Sequence, residues 1–512
     1  MHPDDKDLEI SHIEGGLHTI DKKGGDAIVA DTAAADYVDS SIIITEEENL
    51  RLRRKIYKHL LPVMCVAYIT QSLDKGTLGS ASIMGWQKDV GAVGQDYALT
   101  STLLWVGIIC GEPIVNQFVR KLPVAKVLGI SIVIWSALVM GLAFSLDVKP
   151  VFAIRFLLGF FESSFSPCLV AITVQWFTAH EQTLITTVWQ AMFAAAGFAS
   201  NLIAYGFYQL GGDSNAKTKG LYTWQWMTVV IALISFIAAV IVLVFLPDTP
   251  VQARWATKEE KVKYVERVRT NDQGIQQKVW RSDQAREVLR DPLPWLLFGM
   301  MFIQSTVVGG LNTFNNLLIK NAFGFTTSQA LLLALPLAVF QVILYFLIGW
   351  LGTKTRQTVY CMVGYVMVNI AGSIVLITVA PSSKTKVGLL ITFYLMQCCQ
   401  ATNPSMYAML SRNVAGQTKK SVVYAIFFVG WAGGNALGPQ LFQAKWASRY
   451  INSLYIHIAL YCAFIIDVLV MRWICVSRNK KRDALMQGQV NAHAHAFEDK
   501  TDLQNIEFRY SY

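Results

Sequence analysis

Four charged residues stand where an apolar chain offers them no water. Asp74 and Lys75 follow the apolar run Leu60–Ile69, and Arg155 and Glu162 interrupt the apolar stretch 150–173. The run 60–69 is too short to cross a bilayer, so its helix must continue through Gln71, Asp74 and Lys75 to reach about 20 residues. Arg155 and Glu162 lie two helical turns apart, about 10 Å along one face. A charge at mid-membrane costs at least ~2.5 kcal/mol unless it meets a partner, a carbonyl or water. The four together imply a polar cleft in which Asp74 and Lys75 of one helix oppose Arg155 and Glu162 of another. Carboxylates in such a cleft can take up and release protons, and a guanidinium can pair a carboxylate or sulfonate through two hydrogen bonds.

Further polar side chains lie in apolar surroundings: Asn312, Asn315 and Asn316, then Gln397, Gln400 and Asn403, then Asn435. They either complete a binding site or bond helix to helix. Gly430, Gly434 and Gly438 recur every four residues, which lets a neighbouring helix approach closely. The eight cysteines all lie in apolar blocks without a CxxC pair or a nearby histidine, so free thiols are expected and no metal centre. No Walker loop, HExxH or nucleophile with its base on a loop is present. The chain is therefore not expected to be an enzyme or to hold a cofactor, protons apart.

The elements that position these residues follow from composition. Of 512 residues 53% are hydrophobic and 15% charged, and the apolar residues fall in blocks of membrane length. Spans are predicted at 60–82, 97–116, 126–146, 150–173, 184–208 and 226–246, then at 293–317, 328–351, 358–380, 387–410, 420–443 and 453–476. This divides the chain into a disordered tail 1–58, a six-helix bundle 59–246, a central loop 247–292, a second six-helix bundle 293–476 and a tail 477–512. Lys and Arg gather before the first span (Arg51, Arg53, Arg54, Lys55, Lys58) and after the second, eighth, tenth and last. They predict a cytoplasmic location for both termini and the central loop, and they make the basic excess a topology signal, with no nucleic-acid partner. Thr257-Lys258-Glu259-Glu260 is a capping box, and the basic helix it opens is predicted to lie on the inner leaflet. Pro167 and Pro404, and likewise Asn201 and Asn435, stand at almost the same offset in the two halves, as an internal duplication around a central cleft would place them.

Several short motifs carry a resemblance along nearly the whole chain. They are Leu73-Asp74-Lys75 with Thr77-Leu78 and Ala81-Ser82, Arg155-x-x-x-Gly159-x-x-Glu162 with Pro167, and Leu246-Pro247-Asp248-Thr249-Pro250. Further on come Gly434-Asn435-x-x-Gly438-Pro439 and the tail Asp499-Lys500-Thr501-Asp502 with Phe508-Arg509-Tyr510. With these the chain resembles the anion:cation symporter family of the major facilitator superfamily, in particular its fungal allantoate-permease branch. The resemblance implies an all-α membrane protein with the major facilitator fold, twelve transmembrane helices in two six-helix bundles around a central cleft. It implies proton-driven uptake of a small organic anion by alternating access: a ureido acid, vitamin carboxylate, sulfonate or amino-acid derivative. Positions matching Asp74 and Glu162 would handle protons, and those matching Arg155 and Asn435 would face the substrate. Lys75, Asn312, Asn315 and Gln397 are the further candidates for substrate binding. The family often has Arg where Lys75 stands, Leu184-Ile185 replaces a common Arg, and the loop 116–126 lacks the superfamily's acidic residue and glycines. A monomer in the plasma membrane is expected. A drug exporter and a nutrient receptor of the same fold are the alternatives, and paired cations in the cleft favour an anionic cargo over the former.

Overall fold

The computed structural model describes residues 44–211, 217, 220–269, 280–355, 357–485 and 500–512. In lipid each backbone N–H and C=O must be satisfied within its own segment, and the apolar blocks accordingly form helices. The first half contains α1 (Glu46–Ile83), α2 (Asp96–Lys121), α3 (Val124–Phe144), α4 (Val148–Glu162), α5 (Phe165–Trp176), α6 (Ala179–Gly211) and α7 (Thr223–Phe245). Two short helices follow, α8 (Lys258–Arg269) and α9 (Ser282–Arg290). The second half contains α10 (Pro292–Leu317), α11 (Thr327–Thr355), α12 (Thr358–Thr378), α13 (Lys386–Met396), α14 (Asn403–Asn413), α15 (Gln417–Leu437) and α16 (Ile451–Leu485).

Among the described residues ten helices are long and apolar enough to cross a membrane, α4 and α5 forming one span, Val148–Trp176. The other two spans are α1 and the α13–α14 pair. Asp74 and Lys75 break the apolar pattern of the first, and a 3-10 turn, Gln397–Thr402, interrupts the second. The fourth and tenth spans thus break at matching places, just ahead of Pro167 and Pro404. Asn201 and Asn435 also behave alike, each amide donating to the carbonyl four residues earlier, Gly197 and Trp431, at 2.9 and 2.8 Å. The expected duplication therefore extends to backbone breaks and local hydrogen bonds.

The two halves meet most closely at the end remote from the termini. There the Tyr97 hydroxyl donates to the Thr313 carbonyl at 2.6 Å, Thr102 to the Ala436 carbonyl at 2.7 Å and the Lys320 ammonium to the Ile83 carbonyl at 2.9 Å. Gly434 and Gly438 let α15 pack backbone to backbone on α10, so that a Cβ at Gly434 would lie 2.8 Å from that of Ser305.

Three expectations about the polar segments change. The first 43 residues lie outside the described set, but 46–58 are helix and not tail: Thr45 and Glu48 form a capping box and α1 runs on unbroken. The α8 capping box forms as expected, with Thr257 N–H on Glu260 at 2.9 Å and Glu260 N–H on Thr257 at 3.3 Å. Its helix docks on protein, because its charges find partners on α1 and α6. Lys55 meets Glu260 at 2.6 Å, Lys263 meets Glu48 at 2.8 Å, and buried Arg267 bonds Glu181. The C-terminal tail is likewise in part structured, with α16 continuing to Leu485 and residues 500–512 folded back on the second half.

Asp248 of the Leu-Pro-Asp-Thr-Pro motif is buried and accepts the Ala125 and Lys126 N–H groups at 3.0 and 3.3 Å. It caps α3 from across the half, in the loop region where the superfamily's acidic residue is missing. Asp248→Ala is expected to cost about 1 kcal/mol, as loss of a helix cap does. The thermal unfolding midpoint in detergent should fall accordingly; an unchanged midpoint would assign the motif another role.

Candidate functional site

Asp74 and Lys75 are neighbours on α1 and point about 100° apart, the rotation of one helical residue. That rotation separates Lys75, which forms an ion pair, from Asp74, which does not. Lys75 Nζ lies 2.7 Å from Glu162 Oε1, and the Gln71 amide donates to the same oxygen. The ammonium also lies 5.4 Å from the centre of the Trp105 ring on α2. Trp105 meets Trp431 of α15 edge to face at 4.9 Å, so this pair sits where the two halves face each other. Glu162 Oε2 is buried with no hydrogen-bond partner among the described residues.

Asp74 and Arg155 occupy the interior of the first half. Both line a cavity walled by α1, α3, α4 and α7, with Val139, Leu142, Trp224 and Thr228 around them. Arg155 is 5% exposed, whereas the Lys75 side chain is 20% exposed. The sequence thus brings together the four expected residues but does not show which cation reaches the cleft. Lys75 is the more exposed of the two cations and stands at the face between the halves, whereas Arg155 is buried within the first half.

Across the cleft, α10 and the broken tenth span present carboxamides. Gln400 donates to Asn312 at 2.7 Å and to Gln397 at 3.1 Å, and Asn312 is exposed on its helix. The 3-10 turn brings Gln397 and Gln400, three residues apart, into line on one face. Asn315 donates to Asn316 at 3.2 Å, and Asn316 reaches Ser80 and Asn201 of the first half, each at 3.4 Å. Asn435 does not join this group. It packs in the α10–α15 contact, where a Cβ on Gly309 would lie 2.8 Å from its Cα. Gln71, Trp105 and Trp431 complete the site. The sequence signal for Gln71 is its spacing of four residues from Lys75 on one helix face; neither tryptophan has one, since both stand in apolar stretches like any core aromatic.

Comparison with known proteins gives a consistent picture. The profile described as Major Facilitator Superfamily matches residues 64–439. An uncharacterised transporter, C417.10 of Schizosaccharomyces pombe, is 30% identical over 96% of this chain and 94% of its own length. The allantoate permease of Saccharomyces cerevisiae is 29% identical over 92% of this chain and 88% of its own. The thiamine pathway transporter THI73 of the same yeast is 27% identical over 100% of this chain and 95% of its own. Among solved structures, a bacterial homologue of the human lysosomal transporter Spinster superposes with a TM-score of 0.62 at 14% identity, covering 81% of this chain and 97% of that one. A D-xylose-proton symporter gives 0.60 at 12% identity, covering 81% and 96%.

Proposed function

Because the chain belongs to the Major Facilitator Superfamily and is a multi-pass membrane transporter, we propose that it is a proton-coupled symporter of a small organic monoanion, working by alternating access. The observation that carries this reading is the Lys75–Glu162 pair, 2.7 Å long, within the membrane and at the face between the halves. A cargo carboxylate entering the cleft competes with Glu162 for the Lys75 ammonium. Once displaced, Glu162 is a carboxylate in a poorly hydrated place without its counter-charge, and protonation is the cheapest way to relieve it. Loading of anion and proton are thereby one event. Buried Asp74 and Arg155 line one cavity beside it on α1 and α4, which makes Asp74 the second candidate for proton handling, with the Arg155 charge nearby. The carboxamides Asn312, Gln397 and Gln400 offer the cargo's uncharged end both donors and acceptors. An allantoate permease among the relatives accords with a carboxylate cargo.

With the basic loops on the cytoplasmic side of the plasma membrane, the cleft faces the cytoplasm and the sealed end faces outside. The test is uptake into liposomes of ureido acids, vitamin carboxylates and sulfonates with an inward proton gradient. Accumulation of at least one such anion should collapse when a protonophore removes the gradient. Accumulation that persists without the gradient would sink proton coupling. Lys75→Gln should raise the half-saturating concentration about 10- to 100-fold, since a charge-assisted hydrogen bond contributes ~1.5–3 kcal/mol. Arg155→Lys should leave that concentration nearly unchanged, and the reverse ranking would return Arg155 to the cargo.

A further inference from the structure

The transport cycle proposed above makes no use of the C-terminal segment 500–512, yet that segment is firmly held. Thr501 and Asp502 are fully buried, and Tyr510 is 3% exposed. Asp502 Oδ1 lies 2.7 Å from Lys419 Nζ, while its Oδ2 accepts the Tyr510 hydroxyl at 2.7 Å. One carboxylate therefore ties the segment to the bundle and to its own far end. Asn479 holds the Tyr510 backbone by both groups, donating to its carbonyl at 2.9 Å and accepting its N–H at 3.0 Å. Asn413 accepts the Ser511 N–H at 2.7 Å, and the Arg482 guanidinium stacks over the Tyr510 ring at 4.7 Å. Gly416 makes room for the segment. Its φ of +89° suits glycine, and a Cβ there would lie 3.0 Å from the Thr501 methyl group.

The groove so described is assembled from the ends of four spans. Asn413 closes the tenth, Lys419 opens the eleventh, Asn479 and Arg482 belong to the twelfth, and Lys419 reaches Asp291 at the start of the seventh at 2.8 Å. The segment lies in the groove as a turn, Asn505 N–H bonding the Thr501 carbonyl at 2.9 Å, with its end held by side-chain amides and by two buried side-chain anchors. We propose that this groove is a peptide-docking site whose occupant is the chain's own C-terminal segment, and that docking locks the ends of these four spans into one block.

The test starts from the folded full-length carrier with a protease site placed within 486–499, cut only after purification. After cleavage the segment should stay with the carrier through size exclusion. A synthetic peptide of residues 500–512 should displace it at a concentration at least about tenfold below that needed by the same peptide carrying D502N. Once the segment is displaced and washed away, amide hydrogen exchange should rise in 284–291 and 411–419 and fall back on adding the wild-type peptide. Loss of the segment at once on cutting, equal potency of the D502N peptide, or exchange that ignores the peptide would each overturn the proposal. All of these readouts work without cargo, so an error in the transport reading leaves them intact, and their failure leaves that reading intact.

Discussion

Replacing Lys419 with Met is expected to destabilise the second half by about 3–5 kcal/mol, the cost of breaking a buried charge cluster by removing one partner. The ammonium is fully buried and holds three carboxylates, Glu287 at 2.9 Å, Asp291 at 2.8 Å and Asp502 at 2.7 Å. Arg478 supplies a second cation, 2.6 Å from Asp291. Without Lys419, Glu287 and Asp502 lose their buried cation while remaining largely out of water. Burial by itself would raise the Asp291 carboxyl, but hydrogen bonds and charge from Arg478 and Lys419 more than offset it and hold it below the ordinary carboxylate range. A group with a depressed folded-state pKa stabilises the fold above its unfolded value and loses that contribution as pH falls through the folded value. The Asp291 contribution is therefore complete at neutral pH and fades only in acid. The measurement is the thermal midpoint of purified protein at neutral pH, beside Arg509→Ala as a control that breaks the exposed Arg509–Asp483 pair, 41% and 64% open to solvent. The control should move the midpoint hardly at all. If Lys419→Met does no more than the control, the cluster is not a source of stability. Lys419→Met combined with Asp502→Asn should recover part of the loss, because neighbours in one network are not additive.

How much of this was legible in the sequence varies with the kind of signal. The spans and the four intramembrane charges follow from hydropathy and from the cost of charge in hydrocarbon, which depend on residue type alone. The pairing is another matter. Lys75 and Asp74 are adjacent in sequence, and which of them faces the cleft depends on the packing of α1 against α6 and α7, which no local pattern encodes. Arg155 has the better chemistry for binding an anion but is buried within the first half. Asn435 resembles a binding residue by type, whereas close approach at Gly309 and Gly434 turns it into part of a helix contact. The basic helix α8 reads as a lipid-surface helix because its acidic partners, Glu48 and Glu181, lie far away in the chain. Long-range ion pairs of this kind are invisible to periodicity. The same holds for Lys419, which reads as one more topology charge and is instead the centre of a buried cluster.

Glu162→Gln is expected to abolish proton-driven accumulation while leaving exchange of labelled for unlabelled cargo in place. The amide keeps the shape of the side chain and can still bond Gln71 or Lys75, but it cannot carry a proton. Charge counting gives the stoichiometry. In the empty, ionised cleft Lys75 balances Glu162, and a bound monoanion leaves minus one. Moving that surplus through a low-dielectric barrier is costly, so one proton should accompany each monoanion and the loaded carrier should be neutral. Glu162 Oε2, buried and without a partner among the described residues, is the atom placed to take it. Asp74→Asn should then slow transport through its effect on Arg155, yet keep the requirement for a proton gradient. Two liposome measurements decide between the carboxylates and the count. Under a pH gradient at clamped zero voltage, the wild type and Asp74→Asn should accumulate cargo and Glu162→Gln should not. Under an inside-negative voltage without a pH gradient, none should. Voltage-driven accumulation by the wild type would mean that a second proton travels with each anion, and if Glu162→Gln still concentrates cargo from acid, coupling belongs to Asp74.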